Sequence, residues 1–307
     1  MNSAPARLTT ALTLLALALS PELAAQAPAP SHGPPDWAYP VRPAGATPIP
    51  INFFAAPDWH PAEHSPMPAI VARGRKPAVF ACGLCHRADG AGGPENASLA
   101  GLTADYMTRQ VADFRSGART GAEPRRLPTA LMATIARAAT DSEITIAVRY
   151  FAAQHLASRI AVIESDSVPR THVAGWLLAT STGAWEPTGQ RIVEVPEDLQ
   201  QFERRDTRAL FLAYVPVGSI AKGSTIAATG NGGRVAPCAT CHGPALHGLD
   251  PAPGIAGRSP TYIVRQLYDF KQGARAGTES APMRLVAEQL DLDDMIAVAA
   301  FVASLPP

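Results

Sequence analysis

The sequence predicts a mainly α protein made of two copies of one helical domain, with a small β-rich insertion between them. Three observations carry this. Adding 156 to each residue number from Gly74 to Arg119 lands, without a gap, on the matching stretch from Gly230 to Arg275. Both copies space their apolar residues as helices do. Residues 158–218, between the copies, turn instead to short β-branched and aromatic runs broken by turn signals. Self-similarity at such a period means a repeated structural unit, and 307 residues suit about two domains of ~150 each.

The expected organisation runs 1–25, 26–65, 66–157, 158–218 and 219–307. Residues 1–25 read as a cleaved secretory signal peptide: Arg7 supplies the positive start, residues 9–20 a short apolar core, and Leu23-Ala24-Ala25 a cleavage point before Gln26. Twelve apolar residues are too few to span a bilayer, so the mature chain is expected to be periplasmic. Residues 26–65 form a proline-rich arm that favours extended backbone. Its Trp37, Tyr39 and Trp59 are large enough that the arm should pack on a domain, whereas His32, His60 and His64 read as surface residues.

In the first copy (66–157), residues 70–73 form a first helix stopped by Gly74, as residues 220–229 do before Gly230 in the second (219–307). Residues 106–114 place Tyr106, Gln110 or Val111, and Phe114 on one face, read as core. Last helices are expected at 141–153, opened by a Thr-Asp-Ser-Glu capping box, and at 291–303, with an acidic first turn. In the insertion, strands are expected at 173–179, 191–195 and 209–215, with turns at Ser181-Thr182-Gly183 and Pro187-Thr188-Gly189.

All four cysteines lie in two pentapeptides, Cys82-Gly83-Leu84-Cys85-His86 and Cys238-Ala239-Thr240-Cys241-His242. C-x-x-C-H is the attachment motif of c-type haem. Two thiols three positions apart each form a thioether to one vinyl group of the ring, and the adjacent histidine is held beneath it as an iron ligand. Disulfides, a zinc site and a thioredoxin-like pair compete, but 156 residues between halves exceeds zinc-finger spacing. None of the three explains a histidine after both pairs. Two covalently bound haem c groups follow, with Cys82, Cys85, Cys238 and Cys241 attaching them and His86 and His242 as iron ligands.

The repeat also sorts the methionines as sixth ligands. Met107 aligns with Ile263 and Met295 with Ile144, which are packing roles, while Met132 and Met283 align once a five-residue gap is allowed. These two remain as paired axial candidates; generic core filling is the competing reading. His247 aligns with Ala91 and is not a ligand candidate. Arg109, Arg115, Arg119, Arg125, Arg126, Arg265, Lys271 and Arg275 bring cations near each motif. They would pair with haem propionates or guide an acidic partner, or equally form a solvated helix face.

The net charge is zero, which argues against nucleic acid. The succession CxxCH, Ala-Gly, Tyr-x-x-Arg-Gln-x-x-Asp-Phe-x-x-Gly-Ala-Arg, then Met before an acidic-capped helix, resembles the dihaem cytochrome c4 family, two tandem class I cytochrome c domains. The likeness covers about residues 68–156 and 219–305. It implies all-α haem domains packed together, His86 and His242 proximal, Met132 and Met283 distal, and no catalysis. The arm and the insertion depart from the family's short linker. The expected role is a periplasmic carrier between a dehydrogenase or quinol-oxidising complex and a terminal oxidase, with docking to a membrane complex open. Alternatives are a dedicated cytochrome subunit of a dehydrogenase and a dihaem peroxidase-like enzyme.

Overall fold

Gly74 and Gly230 both take left-handed backbone, at φ 62° and 70°. A Cβ on either would sit 2.2 Å from the Val79 carbonyl oxygen or 1.9 Å from that of Val235. The same residue type is therefore forced at the same place in both copies, for conformational freedom and for close backbone approach. A computed structural model describes Met1 and residues 52–307. The expected signal peptide beyond Met1 and the arm's His32, Trp37 and Tyr39 lie outside the described residues.

The first copy contains α1 (Ala69–Ala72), α2 (Cys82–His86), α3 (Ala104–Ser116), α4 (Leu127–Ala138) and α5 (Asp141–Ala152). Thr103 caps α3 through its hydroxyl oxygen, and α3 ends on left-handed Gly117. The capping box of α5 forms as expected: Thr140 Oγ1 accepts from the Glu143 amide, and the Glu143 carboxylate accepts from that of Thr140. The helix α4, with Pro128 in its first turn, was not among the expected helices. Ile70, Val71, Met107, Val148 and Phe151 form the buried core of this copy.

The insertion holds β1 (Ile160–Glu164), β2 (Ser167–Ala174), β3 (Leu177–Pro187), β4 (Val193–Pro196), α6 (Leu199–Glu203) and β5 (Phe211–Val215). The strands β1, β5 and β4 form a sheet in that order, β1 parallel and β4 antiparallel to β5. The strands β2 and β3 form a hairpin, and this corrects two expectations. Residues 173–179 are its tip and not one strand, because Gly175 takes positive φ. Ser181-Thr182-Gly183 lies inside β3.

The second copy repeats the first as α7 (Ser219–Gly233), α8 (Ala239–His242), the two-residue strands β6 (Gly248–Leu249) and β7 (Ala252–Pro253), α9 (Pro260–Lys271), α10 (Ala281–Glu288) and α11 (Leu292–Ser304). Regular geometry in α7 stops at Gly230. The helix α11 packs on α7 and α9; Met295, in its middle, is 1% exposed and belongs to the core. Fully burying a side chain of that size is worth about 1.5–3 kcal/mol. Among the described residues no helix is long and apolar enough to cross a membrane.

The described part of the arm does pack. The Trp59 indole donates to the Arg204 carbonyl at 2.9 Å. Two of the histidines expected at the surface are enclosed instead. His60 is buried against Asp206 at 3.0 Å, and His64 faces Asp58 at 3.1 Å, with 2% of its side chain exposed. Each has a carboxylate partner, which is what lets a histidine leave water.

The two copies meet around a local two-fold relationship. Arg119 and Arg275 pair as an antiparallel bridge, flanked by Thr120 N–H to Ala274 O and Ala276 N–H to Ala118 O, both 2.7 Å. Arg119 and Arg275 are buried, which excludes the solvated-face reading for them. Arg125 is exposed and pairs only locally with Glu123, so there that reading holds.

Candidate functional site

The expected site residues come together in two places with one geometry. In α2, and in α8 together with its N-cap Cys238, a single helical turn puts two cysteines three positions apart on one side, with the histidine following. His86 Nδ1 lies 2.8 Å from Ala97 O, and His242 Nδ1 lies 2.7 Å from Pro253 O. Ala97 and Pro253 are again 156 apart. A carbonyl only accepts, so each Nδ1 carries the proton and each Nε2 keeps its lone pair. Burial lowers both imidazole pKa values. Both rings are therefore neutral and able to bind a metal through Nε2.

The thiols of the first motif do not suit a dithiol redox pair. Burial pushes Cys82 up to about 12 and Cys85 up to about 11, whereas reactive cysteine pairs have lowered values. No two of the four cysteines are joined in a disulfide.

One cavity of about 600 Å³ runs through both places. Cys82, Cys85, His86 and Met132 line it from the first copy, and Cys238, Cys241, His242 and Met283 from the second. Leu102, Ile135, Val148, Ile263, Leu267 and Val298 give it apolar walls. Met132 sits on α4 and Met283 on α10, both half-buried. Met107 and Met295 are core residues, 4% and 1% exposed. His247 is exposed and its Nε2 meets Pro306 O at 3.2 Å.

The middle of the cavity is cationic. Arg109, Arg119, Arg258, Arg265 and Arg275 line it. Arg258 donates to Gly254 O, Ser98 O and Oγ, and Ala100 O, and burial pulls it down to about 10. The Nε atoms of Arg109 and Arg275 are buried without a hydrogen-bond partner among the described residues. Buried guanidinium N–H groups that face a cavity call for an anion. Apolar walls, a cationic centre and cysteines with neutral imidazoles suit haem, a flat apolar ring with two carboxylates.

Several residues here escaped the sequence reading in that role. Tyr106, Gln110, Tyr262 and Gln266 are cavity residues that also bind the central arginines. Their identity in both copies was the available signal, but the helical face they share was read as core.

No family model matches the chain. A thiosulfate dehydrogenase electron acceptor of Stutzerimonas stutzeri is 28% identical over 238 residues, 76% of this chain and 82% of that protein. Cytochrome c4 of Azotobacter vinelandii is 30% identical over 139 residues, 41% of this chain and 66% of that protein. Cytochrome c-554(548) of Halomonas halodenitrificans is 33% identical over 72 residues, 23% of this chain and 87% of that protein. The chain belongs to the dihaem cytochrome c4-like family. As a member it carries two covalently bound haem c groups and serves electron transfer. Among solved structures, thiosulfate dehydrogenase (TsdBA) from Marichromatium purpuratum matches with a TM-score of 0.51 and 26% identity. That match covers 77% of this chain and 39% of the other.

Proposed function

We propose that this dihaem cytochrome accepts electrons from a periplasmic dehydrogenase and passes them to a terminal acceptor, with both irons six-coordinate. In this reading Cys82 and Cys85 hold one haem, Cys238 and Cys241 the other, and the domains run 66–157 and 219–307. Each haem, when bound, takes up and releases one electron at its iron. His86 and His242 bind through Nε2, held in that tautomer by the carbonyls of Ala97 and Pro253. Met132 and Met283 would be the second side-chain ligands, and a methionine ligand raises the potential relative to a second histidine. Arg109 and Arg275 offer their free Nε–H groups to the propionates.

The observation that carries the reading is the single cavity joining the two sites across the Arg119–Arg275 contact. That shared cavity supports a reading in which both redox groups lie close to one another. The relatives named as electron acceptors of thiosulfate dehydrogenase support a dehydrogenase as donor. The test is a reductive titration of the purified protein, followed by carbon monoxide and by reduction with thiosulfate dehydrogenase. Two electrons per chain, no carbon monoxide adduct and rapid enzymatic reduction are expected. A carbon monoxide adduct on the reduced protein would support the peroxidase-like alternative. A second reading, a dedicated dehydrogenase subunit, draws on the match to part of the TsdBA chain; co-purification with an enzyme would favour it.

A further inference from the structure

The two attachment loops are alike in sequence but not in surroundings. Gly83 and Leu84 are buried, whereas their counterparts Ala239 and Thr240 are half-buried and exposed. Two segments outside the repeat cover the first loop. Ala81 N–H donates to Phe53 O at 2.8 Å, and Ala56 packs on Gly83, where an added Cβ would lie 2.9 Å from it. The insertion meets Arg87, at the end of that loop, with Asp206 and Phe202, and meets Glu95 with Arg205.

That cover brings charge with it. Glu95 lines the cavity with 1% of its side chain exposed, and its Oε1 accepts from Arg205 Nη1 at 3.0 Å. Its Oε2 is buried with no hydrogen-bond partner among the described residues. Arg87, next to His86, donates to the Asp206 carbonyl at 2.6 Å. Arg87 and Arg205 both stack on Phe202, at 5.1 and 5.2 Å. Nothing equivalent exists in the second copy: position 87 aligns with Gly243 and position 95 with Pro251.

We propose that the Glu95–Arg205 ion pair, half from the first haem domain and half from the insertion, makes the potential of the first haem, and not that of the second, depend on two opposed buried charges. The inference rests on the haem assignment above. A ferric haem carries one more positive charge than a ferrous one. A buried carboxylate beside it therefore favours the ferric state, and a buried guanidinium the ferrous state. In a dry site such charges act strongly, and burial with second-shell charge is an established lever on haem potential. The pair holds the two effects in balance at the first haem alone. Glu95 and Arg205 are thus positioning residues for an electron and not ligands.

Spectroelectrochemistry of the full holoprotein tests this, with Met283→His marking the second haem by lowering its wave. In that background E95Q raises the first wave and R205Q lowers it, each by about tenfold in the ferric-to-ferrous ratio, or about 59 mV for one electron. The double variant returns close to the parent, and the second wave stays put throughout. A merely structural role would not move one wave in opposite directions. Both waves moving together, neither moving, or the same sign from both variants overturns the proposal. Should R205Q fail to fold, E95Q alone decides. A normal two-electron titration with waves indifferent to Glu95 would refute this inference and leave the carrier reading standing; failure of the titration itself would remove that reading.

Discussion

Arg119 and Arg275 occupy the same position in the two copies, and each reaches the glutamine of both. Arg119 donates to Gln110 at 2.7 Å and to Gln266 at 2.8 Å; Arg275 donates to Gln110 at 2.7 Å and to Gln266 at 3.2 Å. Each guanidinium also covers its own domain's phenylalanine, Phe114 at 4.5 Å and Phe270 at 4.0 Å. A self-complementary patch of this kind is what a two-fold interface requires.

Arg119→Met should therefore lower stability by about 3 kcal/mol, because buried hydrogen bonds to a charged group are lost and their acceptors stranded. Arg275→Met should do the same. Because the two share partners, the double variant should cost less than the sum. Denaturant melts of the four proteins in the cycle measure this; strict additivity would mean the arginines act independently.

Met132→His and Met283→His should each lower one of the two midpoint potentials while preserving two-electron titration. Met132→Ala and Met283→Ala should each let the reduced protein bind carbon monoxide at one haem. Absorption spectra with and without carbon monoxide check both pairs. Alanine variants with unchanged spectra would return these methionines to simple packing.

Gly74→Ala and Gly230→Ala should each destabilise by about 1–3 kcal/mol or more, from the positive φ alone. The clash with the carbonyls of Val79 and Val235 adds to that. Thermal melting is the check, and a shift within error at either position would refute the close approach.

Glu143 gives a pH dependence with a definite sign. Its hydrogen bond from Arg75, with the α5 cap, holds the carboxyl down to about 2, against 4.5 ordinarily. The unfolded chain therefore takes up this proton first on acidification. Its contribution is complete above pH 4.5 and fades as pH falls toward 2. The group is near the surface, so the effect is small, about 1 kcal/mol or less with the cap included. Glu143→Gln should flatten the acid limb of the stability–pH curve; an unchanged limb would contradict the pairing.

The repeat carried most of what could be read before the structure. Gly74 with Gly230, and Thr140 with Glu143, are local rules, decided by one residue's backbone or by a side chain three positions away. The interface was hidden for the opposite reason. Tyr106 and Gln110 lie on a helix face whose period says only that it is covered, and a second copy of the same face does the covering. The helix α4 was missed because Pro128 and the absence of a capping side chain look like a loop, although proline is at ease in a first turn. In the insertion, glycine at the hairpin tip was passed over because apolar residues continue on both sides of it. The buried Glu95–Arg205 pair joins residues 110 apart, a distance at which sequence pattern has nothing to say.

Intact-mass measurement of the protein matured alongside c-type haem attachment machinery tests the central assignment most directly. Two haem masses per chain are expected, falling to one in the Cys82→Ser/Cys85→Ser variant and to one in the Cys238→Ser/Cys241→Ser variant. A parent chain with fewer than two haems, or either variant still carrying both, would contradict it.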